Sequence, residues 1–157
     1  MRPPIVETAM LIRRPIAEVY RAFVEPAATT RFWFTRSSGP LEAGRTVRWD
    51  WEMYGVGADV VVKALEPPHR ILIEWDGPDT PTEVEWRFEP HGPHRTLVSI
   101  VNRGFHGDDD ARTTAALDAM GGFSLVLAGA KVWLEHGLEA TFVLDRHPDA
   151  VLPNRRD

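Results

Sequence analysis

The sequence predicts an α+β fold: a curved antiparallel sheet of about six strands wrapped around one long C-terminal helix, with two short helices after the first strand. Two observations carry this. Between Asp109 and His136, Ala116, Met120, Phe123, Leu127, Ala130 and Leu134 recur at alternating steps of four and three, the spacing of one helical face. Between Thr46 and Asn102, short runs alternate apolar and polar residues, and the turns between them are too brief for parallel crossovers. Leu125, Val126, Val132 and Trp133 make the long helix apolar on other faces too, leaving Ser124, Lys131 and Glu135 as a narrow polar stripe. Such a helix needs cover on more than one side, and the sheet supplies it.

The elements follow in order. Ile5 to Ile12 reads as the first strand, with Val6, Thr8, Met10 and Ile12 on one face. Arg14-Pro15 opens a short helix, since proline suits a first helical position, and Ile16, Val19, Tyr20 and Phe23 are its apolar stripe. Pro26 interrupts it, and a second helical piece is expected through Ala27 to Trp33. Thr35 to Arg45, rich in serine, glycine and proline, reads as loop. Val47, Trp49, Trp51 and Met53 then alternate with Thr46, Arg48, Asp50 and Glu52, the cleanest period-two pattern in the chain.

Tyr54 to Gly57 turns into a valine-rich strand from Ala58 to Glu66. Arg70 to Trp75 follows the turn Pro67-Pro68-His69, and Thr82 to Phe88 sets Val84, Trp86 and Phe88 against Glu83, Glu85 and Arg87. Thr96 to Asn102 is the last strand. One face of each strand carries charge and is expected to meet water. Asp108, Asp109 and Asp110 stand where carboxylates cap free N–H groups at a helix start, and Gly137 marks its stop.

At 157 residues the chain is expected to form a single domain with a core at 5–137 and an extension at 138–157. That length buries roughly 70% of the unfolded surface. A net charge of −5 argues against a nucleic-acid or anionic-membrane surface, either of which favours a clustered basic face. The absence of cysteine removes disulfides and thiolate chemistry and suits a cytoplasmic protein. No window is read as reaching the ~20 apolar residues of a bilayer span. In the extension, Phe142-Val143-Leu144 is expected to cover its own domain or a symmetric partner, with a homodimer preferred, and the chain's end is expected to be poorly ordered.

Three segments carry a resemblance: Arg14-Pro15-x3-Val19-Tyr20-x-Ala22-x3-Pro26, Glu66-Pro67-Pro68-x-Arg70-Ile71-x2-Glu74-Trp75, and Gly122-Phe123-x3-Leu127-x3-Lys131-x-Trp133-Leu134-Glu135. Together they resemble the SRPBCC (START-like) superfamily, and most closely its branch named after the heat-shock protein 90 ATPase activator homologues. The resemblance spans Ile5 to Glu135. It implies a helix-grip fold with a deep apolar cavity between sheet and long helix, and no single function, since members include ligand binders, cyclases and co-chaperone domains. That branch usually has tryptophan where Phe123 stands and a bulkier apolar residue where Ala130 stands, so both positions are expected to enlarge the cavity.

The chemistry-bearing residues are few. Trp49, Trp51, Trp75 and Trp86, with Met53 and Phe88 nearby, fall on apolar strand faces and read either as the wall of an aromatic pocket or as core filler. Trp33, Met120, Phe123 and Leu127 complete the candidate wall. Gly121, Gly122 and Gly129 each weaken a helix by ~1 kcal/mol relative to alanine, so close packing or ligand space should compensate. Arg103 and His106 flank Gly104-Phe105 at the expected cavity mouth as polar anchors or an acid and its oxyanion partner. His91-x2-His94 has no third ligand nearby, and no metal or other cofactor is expected. No nucleophile elbow, phosphate loop or dinucleotide fingerprint is present.

The expected function is therefore binding of a small, largely apolar or aromatic molecule. A polyketide cyclase or aromatase is the alternative. A co-chaperone module ranks third, because full co-chaperones of that branch carry a separate preceding domain and the first strand here begins at Ile5.

Overall fold

The computed structural model describes residues 2–153. The expectation for the chain's last residues, 154–157, lies outside them. β1 (Val6–Ile12) leads into α1 (Ile16–Val24) and a single helical turn, α2 (Pro26–Thr29). Pro15 is the N-cap of α1, one place earlier than expected, and Pro26 takes the first helical position of α2. Then come β2 (Arg36–Ser37), β3 (Thr46–Trp51), a 3₁₀ turn at Glu52–Tyr54, β4 (Val56–Glu66), β5 (Arg70–Trp75), β6 (Thr82–Pro90) and β7 (Thr96–Arg103). The long helix α3 (Asp109–His136), the short α4 (Phe142–Arg146) and a 3₁₀ turn at Pro148–Ala150 complete the order.

Seven strands form one antiparallel sheet in the order β1-β7-β6-β5-β4-β3-β2, one strand more than expected. The addition is β2, inside the segment read as loop, where Arg36 and Ser37 lie opposite Asp50 and Trp49. Two residues carry no periodicity to read. β4 bulges between Val62 and Ala64, which increases the local bend and twist of the sheet. The curved sheet holds α3, which packs against β1 and β7.

The ends of α3 fall where the sequence placed them. Asp108 Oδ1 accepts the Ala111 N–H at 2.8 Å, and Gly137, at φ 65°, donates its N–H to the Trp133 carbonyl at 2.8 Å. The buried arc runs through Ala116, Phe123, Val126, Leu127, Gly129 and Ala130. Met120 falls at the margin of that arc and is 41% exposed. The polar stripe does not face open solvent. Ser124 Oγ meets Thr8 Oγ1 at 3.0 Å, Lys131 Nζ donates to the Leu11 carbonyl at 2.9 Å, and Glu135 Oε2 accepts the Arg13 N–H at 3.1 Å. The stripe is a row of stitches binding α3 to the strand beside it.

Among the described residues α3 is also long and apolar enough, by length and composition, to cross a membrane, which the sequence reading understated. In this fold its apolar arc is spent on the core: Leu127 and Ala130 are wholly buried. Gly129 is explained by close packing, since a Cβ there would stand 3.1 Å from Phe32 Cβ and 3.3 Å from the Phe32 carbonyl. Ala130 lies in the core and enlarges no cavity.

The opposite face of the sheet is charged but not uniformly wet. Glu85 is buried beneath Arg70, Arg87 and Arg103; Arg70 Nε donates to its Oε2, and Arg87 Nη2 stands 2.6 Å from Oε1. Burial alone would raise the Glu85 pKa, but hydrogen bonds and charge from Arg70 and Arg87 outweigh it and hold the carboxyl below its ordinary value. Alternation located this face correctly and could not report what lies over it.

Candidate ligand-binding site

Trp33 is the centre of the site. It follows the single turn of α2, its N–H donates to the Thr29 carbonyl at 3.0 Å, and it projects into the concave side of the sheet. Its ring meets Trp49 at 4.9 Å between centroids, Trp86 at 5.9 Å, Trp75 and Phe123 at 6.0 Å, and Trp51 at 6.1 Å. Most of these contacts are edge-on or tilted, the geometry aromatic quadrupoles favour. Five indoles and a phenyl ring thus form one continuous cluster.

The cluster does not fill the space between sheet and helix. A cavity of about 770 Å³ remains, with Trp33, Trp51, Trp75 and Phe123 on its apolar wall and Val126, Ala119 and Leu125 of α3 beside them. Phe123 stacks on Trp75 with centroids 5.9 Å apart and planes 27° apart. The sequence candidates therefore separate. Trp33, Trp51, Trp75, Phe123 and His106 line the cavity, while Trp49, Trp86, Phe88 and Leu127 are buried in the core behind it. Met53 is also buried away from the cavity, and Met120 faces outward. Arg103 turns to the charged outer face, where Nη2 meets Glu83 Oε1 at 2.7 Å. Strand parity places both Trp49 and Trp51 on one face, but depth differs: Phe34 stacks on Trp49 at 4.6 Å and seals it, leaving Trp51 nearer the open end.

Polar groups gather at the rim. Asp76, in the β5–β6 turn, adopts φ 72°, and its Oδ2 accepts the Thr82 hydroxyl at 2.5 Å. Asn102 is buried and donates to the Glu83 carbonyl at 2.9 Å, and His106 Nε2 lies 2.9 Å from the Pro81 carbonyl. Asp76, Thr82, Asn102 and His106 all border the cavity. Among the described residues no three histidine, aspartate or glutamate side chains gather as a metal ion would require.

The sequence reading missed the tail's part in the site. Tyr54 Oη donates toward the Val143 and Leu144 carbonyls at 2.5 and 3.0 Å, the Leu152 N–H donates to the Met53 carbonyl at 2.8 Å, and Val151 is buried. These contacts strap the extension over the cavity mouth, which Val143, Arg146 and His147 also line. Burial raises the Tyr54 pKa, opposed by a backbone hydrogen bond at His147. The strap also accounts for two helical glycines: Cβ atoms at Gly121 and Gly122 would stand 2.6 and 2.8 Å from the Arg146 guanidinium. That glycine pair, with the apolar run Phe142-Val143-Leu144, is the sequence's sign of the strap.

With this geometry established, similarity to known proteins becomes informative. Residues 13–135 match the family model described as Activator of Hsp90 ATPase homolog 1-like protein. The chain belongs to this family. The match takes in the sheet from β2 to β7 and nearly all of α3; β1 and the strap lie outside it. Comparison with curated proteins finds no match. Among solved structures, a protein from Staphylococcus saprophyticus aligns with a TM-score of 0.75 and 26% identity, over 87% of this chain and 96% of the other. The Aha1 dimer from Colwellia psychrerythraea aligns at 0.71 and 20% identity, over 85% and 98%. The di-domain ARO/CYC protein BexL, of the BE-7585A biosynthetic pathway, aligns at 0.70 and 20% identity, over 86% of this chain and 47% of BexL. The family match carries the SRPBCC superfamily, and these likenesses show its helix-grip fold.

Proposed function

We propose that this chain is a single-domain, cytoplasmic binding module that takes a small, largely apolar or aromatic molecule into the cavity between sheet and α3. The observation that carries the proposal is the indole wall: Trp33, Trp51 and Trp75 border about 770 Å³ of space that the core leaves unfilled. Volumes of roughly 300–1,000 Å³ with aromatic lining and a few convergent polar groups are those of small-molecule sites. Affinity then comes mainly from apolar burial, roughly 25 cal/mol per Å² before the ordering costs of binding.

The cyclase or aromatase reading is supported only by fold-mates such as BexL. It needs an acid or base free to act at the cavity; Asp76 is engaged by Thr82 and His106 by the Pro81 carbonyl, while His147 of the strap also lines the cavity. A homodimer is the second part of the proposal. Leu117, 69% exposed, and Met120 leave apolar surface on α3, and the Colwellia relative was solved as a dimer.

The test is a fluorescence titration of flat aromatics and fatty acids, with products checked by mass spectrometry. Saturable quenching without turnover, weakened at least about tenfold by Trp51→Ala, is the expected result. A converted product would replace binding with catalysis. A flat response to every compound would reduce the tryptophans to core filler.

A further inference from the structure

Arg146 is a cation whose placement the core does not require. It belongs to the strap, beyond the family match, yet its guanidinium lies on the cavity wall over the Gly121-Gly122 face of α3. Only one of its nitrogens is committed: Nη2 donates to the Asp118 carbonyl at 2.9 Å and to Asp118 Oδ1 at 3.2 Å. Nη1 and Nε make no hydrogen bond among the described residues. Asp118 is a weak competitor for the charge, because its own side chain is 69% exposed and can be solvated instead.

From this geometry we infer that the cavity selects an aromatic carboxylate, read by the unengaged N–H donors of Arg146. This rests on the cavity being the binding site, and it adds the ligand's polarity and direction. Each two-donor edge of a guanidinium includes Nη2, which Asp118 already engages, so a carboxylate takes a charge-assisted hydrogen bond from Nη1 or Nε. One arginine already sharing Asp118, with Asp76 also bordering the cavity, suits a single negative charge and disfavours the near-double charge of a phosphate. The ring system lies along Trp33, Trp51, Trp75 and Phe123, and the acidic end points to the strap on the helix wall. Asp76 and Asn102, on the sheet wall, then face the end of the ligand that carries a hydroxyl or other donor.

The assignment also gives the strap a purpose. The ligand's charge holds the strap that carries Arg146, so the extension closes on acids and gains little from neutral analogues.

Calorimetric titration of 2-naphthoic acid and its neutral counterpart 2-naphthamide, at pH 7, tests this on the full chain and on two variants. The full chain is expected to bind the acid at least about tenfold more tightly than the amide. Arg146→Gln removes that preference, the acid losing far more affinity than the amide. Asp118→Asn, which releases the guanidinium, increases the preference. If both probes bind the full chain equally, or the preference survives Arg146→Gln, the inference is overturned while the cavity reading stands. If both variants weaken both probes alike, Arg146 only clamps the tail, and the inference again fails. If neither probe binds the full chain, the cavity reading falls and takes the inference with it.

Discussion

Phe123 of α3 and Trp75 of β5 stack across the cavity, and this pair sets its width where helix and sheet approach each other. A phenyl ring, not an indole, meets the sheet there. Phe123→Trp should therefore fill part of the cavity without unfolding the chain. Affinity for aromatic probes is expected to fall at least about tenfold, with stability changed by less than about 1.5 kcal/mol. Titration and thermal melting of the same sample check both halves.

The stitching of α3 to β1 separates two substitutions four residues apart. Leu127→Asp places an unpaired carboxylate at a wholly buried position and is expected to unfold the chain. Lys131→Ala removes donors to the Leu11 carbonyl and to Glu135, whose carboxyl is only 11% exposed. A loss of about 1–2 kcal/mol is expected, more than a solvated lysine would give. Chemical denaturation of both variants decides the point, and equal tolerance would overturn the helix placement.

Acid sensitivity follows from Glu85 and Glu135. Burial favours the neutral form of each, but Arg70 and Arg87 for the first, and Lys131 with the Arg13 N–H for the second, hold both below the ordinary carboxylate value. A carboxylate depressed on folding stabilises the native state above its unfolded value of about 4.3, and that contribution is lost as pH falls through the folded value. The melting temperature should therefore be insensitive above about pH 5.5 and drop steeply below about pH 4. Glu85→Gln should lower it at neutral pH and flatten the acid limb.

The strap is held by Tyr54, so Tyr54→Phe should loosen it with little effect on the sheet. Faster cleavage between Gly137 and Arg146 by a low dose of protease is the expected sign, with a stability loss near 1 kcal/mol. Truncation after Gly137, followed by light scattering, addresses association. A truncated chain that keeps full stability and the same oligomeric state would show that the extension covers neither its own chain nor a second copy.

The long helix was legible to the residue because its signals are local: a run of aspartates, a steady three-four spacing and a glycine stop. The alternating strands were legible for the same reason. What sequence spacing does not encode is depth and partnership. Trp49 and Trp51 share a strand face, yet Phe34 seals one and leaves the other at the cavity. Glu85 shares a face with Glu83 and Arg87, yet arginines from neighbouring strands close over it. Lys131 looked solvated because its acceptor is a carbonyl of Leu11, far away in the chain. Arg146 had no motif; only the two glycines it rests on hinted at a neighbour.

The strand order also governs when this molecule can come into being. β1 precedes the other strands of this sheet in the chain, but its hydrogen-bonding partner is β7, with Val6 opposite Asn102. A nascent chain must carry that unpaired edge until nearly all of the sheet has emerged, and α3, which closes the core, leaves the ribosome later still. Closing so long a loop is entropically slow, and the contacts that reward it arrive together. Completion is thus a late, concerted event that waits for β7 and α3, and the unpaired edge of β1 is the segment that most needs shielding in the interval.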